Sequence, residues 1–252
     1  MFRHFLIATQ FLTRLPIPAG LQSHWTMEDL RDSVHMFPLV GVLVGLGASL
    51  VYAVAVFCNL PPVIAAILTV TTQVLMTGAL HEDGLADVCD GFGGGRTREQ
   101  KLDIMRDSRI GTYGTIGLIL SLGLRIAAIT HLAQPEAVAA GLIAAAALSR
   151  AAMPVAMWLM PQARAEGLAA SAGRPRCGQV FLGVGIGMVA ALLCLPPSAA
   201  AVLIAVSFIV AGVFLSFSQS QIGGITGDVL GGLQQIVCGV SLIAVSVLEK
   251  SG

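Results

Sequence analysis

Long runs without a charged side chain dominate this chain and decide what it can fold into. A helix needs about 20 apolar residues to cross roughly 30 Å of hydrocarbon. Runs of this kind recur at residues 36–57, 62–80, 112–132, 137–159, 179–195, 199–217 and 229–248. In lipid, backbone N–H and C=O groups must be satisfied within the segment or by a closed barrel, and runs this long call for helices. The sequence therefore predicts an all-α, polytopic transmembrane helix bundle of about seven spans, with a re-entrant hairpin an alternative for one of the shorter runs. Composition agrees: 56% of residues are apolar, 11% are charged, and mean hydropathy is +0.85.

Charge between the runs predicts an orientation, because short cytoplasmic loops collect Lys and Arg. With a cytoplasmic N-terminus, Arg3, Arg14, Arg31, Arg96, Arg98, Lys101, Arg106, Arg109, Arg164, Arg174 and Arg176 all fall inside. Only Lys250 falls outside, while Arg125 and Arg150 sit within runs. The opening MFRHFLIATQFLTRLPIP lacks a small-residue cleavage site and is broken by Arg14 and Pro16. Residues 1–35 are thus expected to hold a helix lying in the membrane interface rather than a signal peptide. With no repeat, linker or low-complexity tract, residues 1–252 read as a single integral membrane domain.

Other features exclude function classes. Zero net charge and a pI near 6.9 offer no basic face for nucleic acid. Five cysteines without a CxxC make neither a zinc framework nor a disulfide set.

Against this apolar background HEDGLADVCDG, residues 81–91, concentrates Glu82, Asp83, Asp87 and Asp90. Asp83, Asp87 and Asp90 follow i, i+4, i+7 spacing, which puts all three on one helix face. Crowded carboxylates at a membrane boundary either take up protons or bind cations. Ligands that are all oxygen suit a hard ion such as Mg²⁺, which takes one or two carboxylates plus waters and substrate phosphates. The competing reading is a solvated helix end neutralised by Arg96, Arg98 and Lys101. KLDIMRDSRIGTYG follows, with Asp103, Asp107, Arg106 and Arg109; arginine forks there match phosphate oxygens, or else form a surface network. Residues 81–111 are therefore expected to be a cytoplasmic active-site loop. Arg150, inside a span, calls for a partner or a wet cavity. GGITGD, residues 223–228, places Asp228 and irregular backbone at the mouth of the last span, which is tolerated where backbone is buried or lines a cavity.

FLTRLPIP, FPLVG, HEDGLADVCDG, MRDSRIGTYG, LSR, ARAEGL and GGITGDVLG occur in this order, and together they resemble the cobalamin synthase family, the adenosylcobinamide-GDP ribazoletransferases. The resemblance covers nearly the whole chain. It implies a bacterial inner-membrane enzyme, its active site facing the cytoplasm, that joins α-ribazole or its 5′-phosphate to adenosylcobinamide-GDP, releases GMP and needs Mg²⁺. The partners implied are those substrates and the lipid bilayer, with a homo-oligomer or a complex with other cobalamin-assembly enzymes as a further expectation. Chemistry and resemblance together assign Asp83, Asp87 and Asp90 to the metal, and Asp90 or His81 to accepting the hydroxyl proton. Arg109, Arg150 and Arg164 would hold phosphates, with Asp107 and Asp228 as outer ligands or substrate contacts. The chain departs from the family pattern at Ala79, where glycine is usual, at Glu82, where an apolar residue is usual, and at Gln235, where many members carry Glu.

Two rival classes remain at this stage. A CDP-alcohol phosphotransferase also uses clustered aspartates and a metal, but its DGxxAR pattern is missing, since Asp87 and Val88 stand where Ala-Arg should be. A cation-coupled transporter would place its acids near the bilayer midplane, often in both halves of a repeat.

Overall fold

A computed structural model describes residues 1–21 and 24–249; Lys250, the basic residue expected on the far side, lies outside them. The described residues contain no strand, only an isolated bridge between Gln162 and Ile225. The amino-terminal segment folds as α1 (Phe2–Leu12) and α2 (Met27–Ser33), which lead through a short 3₁₀ turn into α3 (Phe37–Phe57). Next come α4 (Pro62–Thr77), α5 (Leu80–Gly94), α6 (Arg98–Ile104), α7 (Thr112–Leu132) and α8 (Pro135–Leu159). The chain closes with α9 (Leu168–Ala172), α10 (Cys177–Cys194), α11 (Pro197–Ile222) and α12 (Gly227–Leu248). Each expected apolar run is a helix. Pro62, Pro135 and Pro197 open their helices, where the missing N–H costs nothing and the fixed φ is already helical.

Six helical runs are each long and apolar enough to cross a membrane, and α4 with α5 passes the same test as a pair bent by 92°. At about 1.5 Å per residue, the 16 residues of α4 are short of the hydrocarbon thickness, so α4 and α5 together supply what one straight helix supplies elsewhere. Gly78 and Ala79, at φ 63° and 58°, make the bend in the left-handed region. This corrects the expected loop at 81–111: its first part is a helix continuing the broken run, and its second contains α6. The acidic motif is therefore set into the bundle rather than held above it.

Consecutive passes alternate in direction. One end gathers α2, α6, α9 and the start of α12: Gln179 of α10 donates to Asp32 Oδ1 at 3.1 Å, and Arg98 Nε donates to the Ile222 carbonyl at 2.8 Å. At the other end Tyr52 of α3 donates to the Ala133 carbonyl between α7 and α8 at 3.0 Å. The basic residues of the connections cluster at the first end. The helices α8 and α12 occupy the centre, each 72% buried over its most apolar window, against 22% for α7 and α10. The run Ala144–Ala147 has no exposed surface, because small side chains let neighbouring helices approach closely where lipid offers no hydrophobic drive.

Candidate active site

The site forms where α5 crosses the start of α12. A Cβ on Gly84 would lie 2.8 Å from the Asp228 carbonyl oxygen, and one on Gly231 3.3 Å from the His81 Cα. Glycine at both positions is what lets the two backbones touch. Thr226 caps α12 by accepting from the Val229 N–H at 3.2 Å, and its hydroxyl donates to Asp228 Oδ2 at 3.1 Å. Arg164 also donates to Asp228 Oδ2. The loop carrying Arg164 is tied to GGITGD by Ala163 N–H to the Ile225 carbonyl at 2.8 Å and by Ile225 N–H to the Pro161 carbonyl at 2.9 Å. Arg98 closes the arrangement by donating to the Ala163 carbonyl. Arg98 and Lys101, which the solvated-helix reading assigned to neutralising the acids, instead hold backbone and Gln221.

Two cavities meet at Asp228. The inner one, about 190 Å³, is walled chiefly by Phe11, Leu30, Phe37, Met153 and Met157, and its polar groups are His81, Asp83 and Asp228. The outer one, about 340 Å³, is polar, with Arg106, Arg164, Glu166, Gln162 and Thr226 on its walls. Leu168, Ala169, Gly227 and Asp228 belong to both. An apolar chamber and a polar mouth carrying two arginines thus share one acidic boundary.

The expected site residues divide along that boundary. Asp83 is exposed, Asp87 half-buried and Asp90 buried on their common helix face. Asp83, Asp90 and Asp228 all act on Asp87 as like charges. The side chains of Asp83 and Asp87 have no hydrogen-bond or ion-pair partner among the described residues. The Asp90 oxygens, by contrast, accept the N–H of Gly111 at 2.7 Å and of Gly114 at 2.8 Å, so Asp90 anchors the start of α7 and has little left for a metal or a proton. No three His, Cys, Asp or Glu side chains among the described residues form a ready metal cluster. The donor set that fits Mg²⁺ is accordingly the pair Asp83 and Asp87, whose unpartnered carboxylates suit a cation that completes its shell with waters and phosphate.

His81 is 1% exposed, lines the inner cavity, and has no partner at either ring nitrogen. A general base is normally oriented by a third group, and none is present. Arg164 and Asp228 line the outer cavity, whereas Asp107 and Arg109 pair with each other on an exposed turn at 2.7 Å and line neither cavity. The Arg109 guanidinium holds the Asp107 carboxyl down to about 2. Arg150 also lines neither cavity; buried in α8, it donates to its own helix at the Ala146 carbonyl, 3.3 Å away. The sequence reading offered Arg106 and Arg109 alike as phosphate forks; both are exposed, and only Arg106 stands on the wall of the outer cavity.

A buried polar network backs the site. Arg125 Nη1 donates to Glu82 Oε1 at 3.1 Å and to Gln235 Oε1 at 2.8 Å, and Nη2 donates to Gln73 Oε1 at 2.6 Å. Gln235 Nε2 donates to Glu82 Oε1 and to Gln234 Oε1, each at 3.0 Å, and Gln234 reaches Ser149 at 3.1 Å. The network ties α4, α5, α7, α8 and α12 together. Within it Glu82, from α5, supplies the carboxylate facing Arg125, and Gln235, from α12, supplies a neutral amide oxygen.

The family described as cobalamin-5-phosphate synthase matches residues 4–246. The adenosylcobinamide-GDP ribazoletransferase of Bradyrhizobium diazoefficiens is 47% identical over 231 residues, 91% of this chain and 87% of its own. Its namesake from Azorhizobium caulinodans is 44% identical over 236 residues, covering 91% of this chain and 89% of its own. The Mesorhizobium japonicum protein of the same name is 41% identical over 241 residues, 96% and 92% of the two chains. No solved structure matches this chain.

Proposed function

The chain belongs to the cobalamin-5-phosphate synthase family, and from that premise we propose that it transfers the phosphocobinamide group of adenosylcobinamide-GDP to α-ribazole or its 5′-phosphate, releasing GMP. The observation that carries this reading is the pair of cavities meeting at Asp228, one apolar and one polar with two arginines on its walls. A reaction between a diphosphate and an aromatic nucleoside needs such a divided site.

In the mechanism, Arg164 and Arg106 bind the diphosphate in the outer cavity, where guanidinium forks match phosphate oxygens. A ribose hydroxyl entering from the inner cavity attacks the phosphorus attached to cobinamide. The new P–O bond forms as the P–O bond to GMP breaks, with the arginines facing the charge that gathers on the departing phosphate. The hydroxyl proton is carried off on the departing phosphate of GMP. Asp228, already fixed by Arg164 and Thr226, keeps Arg164 aimed at the boundary. Asp83 and Asp87 would hold Mg²⁺, which when bound neutralises charge on the diphosphate. The excess of basic residues at the site's end of the bundle supports a cytoplasmic active site in a bacterial inner membrane.

The test is purified protein with adenosylcobinamide-GDP, α-ribazole and Mg²⁺, following cobalamin and GMP together. Equal appearance of both is expected. Hydrolysis to GMP without a cobalamin product would overturn the reading. Asp83→Asn and Asp87→Asn should each lower turnover by orders of magnitude in protein that still purifies, because an amide is a poor but nearly isosteric ligand. Near-normal rates at limiting Mg²⁺ would remove both from the metal.

A further inference from the structure

His81 poses a problem that the mechanism leaves unsolved. Both of its ring nitrogens are buried and unpartnered, and an orphaned buried polar group costs about 1–3 kcal/mol. His81 belongs to the wall of the inner cavity with both nitrogens just beneath its surface, so a bound molecule toward which the ring turns can supply the missing hydrogen bond. The other walls specify that molecule. Met153 and Met157 stand one helical turn apart on α8, and Phe11 stacks on Phe37 with centroids 6.1 Å apart. Thioethers and ring faces of this kind favour a flat aromatic guest.

We infer that the inner cavity seats the heterocyclic base of the acceptor nucleoside, and that His81 selects a base with one free ring nitrogen by donating a hydrogen bond to it. The inference rests on the acceptor being a ribazole-type nucleoside. Size excludes the alternative within the same reaction, because about 190 Å³ cannot admit a corrin. Polarity disfavours guanine, whose several donor and acceptor edges would go unpaired along methionine and phenylalanine walls. A lipid chain would fill the space but leave His81 unpaired. A benzimidazole satisfies both demands: its faces are apolar, and only the nitrogen not bonded to ribose needs a partner. The sugar then points to the polar end, where Asp83 and Asp228 lie.

The test is equilibrium titration of α-ribazole, and of its indole counterpart in which a C–H replaces the free ring nitrogen, against the full-length protein in detergent. The wild type should bind α-ribazole about three- to tenfold more tightly than the indole counterpart, the range one hydrogen bond accounts for. In His81→Leu the two should bind alike, while GDP binds as to the wild type. A preference that survives in His81→Leu, or is absent from the wild type, overturns the inference. Met157→Phe, which fills the chamber without touching His81, should weaken both nucleosides and spare GDP; unchanged nucleoside binding there would also overturn it. The titration needs no turnover. If α-ribazole binds as expected and no cobalamin forms, the proposed reaction fails alone; if cobalamin forms and His81→Leu still discriminates, the base subsite fails alone.

Discussion

Exchanging the partners of Arg125 should separate the charge of the buried network from its shape. Arg125 is 2% exposed and is held by one carboxylate, Glu82, and two amide oxygens, Gln235 and Gln73. In Glu82→Gln the guanidinium keeps neutral acceptors but loses its counter-charge. Loss of one charge-assisted hydrogen bond sets a floor of about 1.5–3 kcal/mol, and breaking a buried ion pair sets a ceiling of about 3–5 kcal/mol. Because two acceptors survive, about 3 kcal/mol is expected, or an apparent melting point about 6–12 °C lower at roughly 2–4 °C per kcal/mol. Gln235→Glu alone places two carboxylates against one arginine and should also destabilise. The double exchange Glu82→Gln/Gln235→Glu returns one charge to the same guanidinium, now from α12, and should recover to within about 1 kcal/mol of wild type. Thermal unfolding in detergent of all four proteins gives the cycle. Additive losses, with the double exchange worse than either single change, would refute the idea that Glu82 and Gln235 share one role.

Three further outcomes follow from the geometry. Ala79 sits at φ 58°, where a Cβ costs about 1–2 kcal/mol, so Ala79→Gly should raise the melting point without changing the rate constants; a lower melting point would show that the bend does not need the left-handed backbone. Asp90→Ala strips the N–H groups of Gly111 and Gly114 of their acceptor and should cost about 1–3 kcal/mol, seen as earlier melting with nucleotide affinity retained in the folded fraction. Arg164→Ala should lower kcat/KM at least tenfold through loss of a charge-assisted phosphate contact, an effect of about 1.5–3 kcal/mol, while Arg109→Ala leaves it within about twofold; equal losses would return Arg109 to the phosphate site.

Much of the fold was legible in the apolar runs, because span length is set by the bilayer and prolines mark helix starts. The bend at Gly78 and Ala79 was hidden, since a run of suitable length reads the same whether straight or broken. That hidden bend explains why 81–111 looked like a loop above the membrane. That Asp83, Asp87, Arg164 and Asp228 gather at one end of the bundle was readable from charge set against a background that penalises it. Asp90 was not separable from its neighbours: the i, i+4, i+7 pattern shows a shared face but not what covers its far end, and Gly111 and Gly114 approach from another helix. Arg150 misled for a related reason, because a charge within a span announces a special environment without saying whether that environment is a substrate cavity or packed protein.

The broken helix and the polar network make one device. A straight α4–α5 would give Asp83 and Asp87 no reason to face α12, and in lipid four acids on one helix would be prohibitive. The bend turns α5 so that Gly84 meets Gly231 and the acids look along the start of α12 toward Asp228. Freed from the α4 ladder, the first turn of α5 needs another hold, and Glu82 provides it by joining Arg125 and Gln235 on the face opposite the cavities. One helical turn thus carries both features, with Glu82 joined to the buried network and Asp83 on the chamber wall, where the proposed chemistry needs it. A change that loosened Glu82 would move Asp83 with it, so losses of activity and stability should run together across substitutions in the network, whereas Asp83→Asn and Asp87→Asn should lower activity without earlier melting.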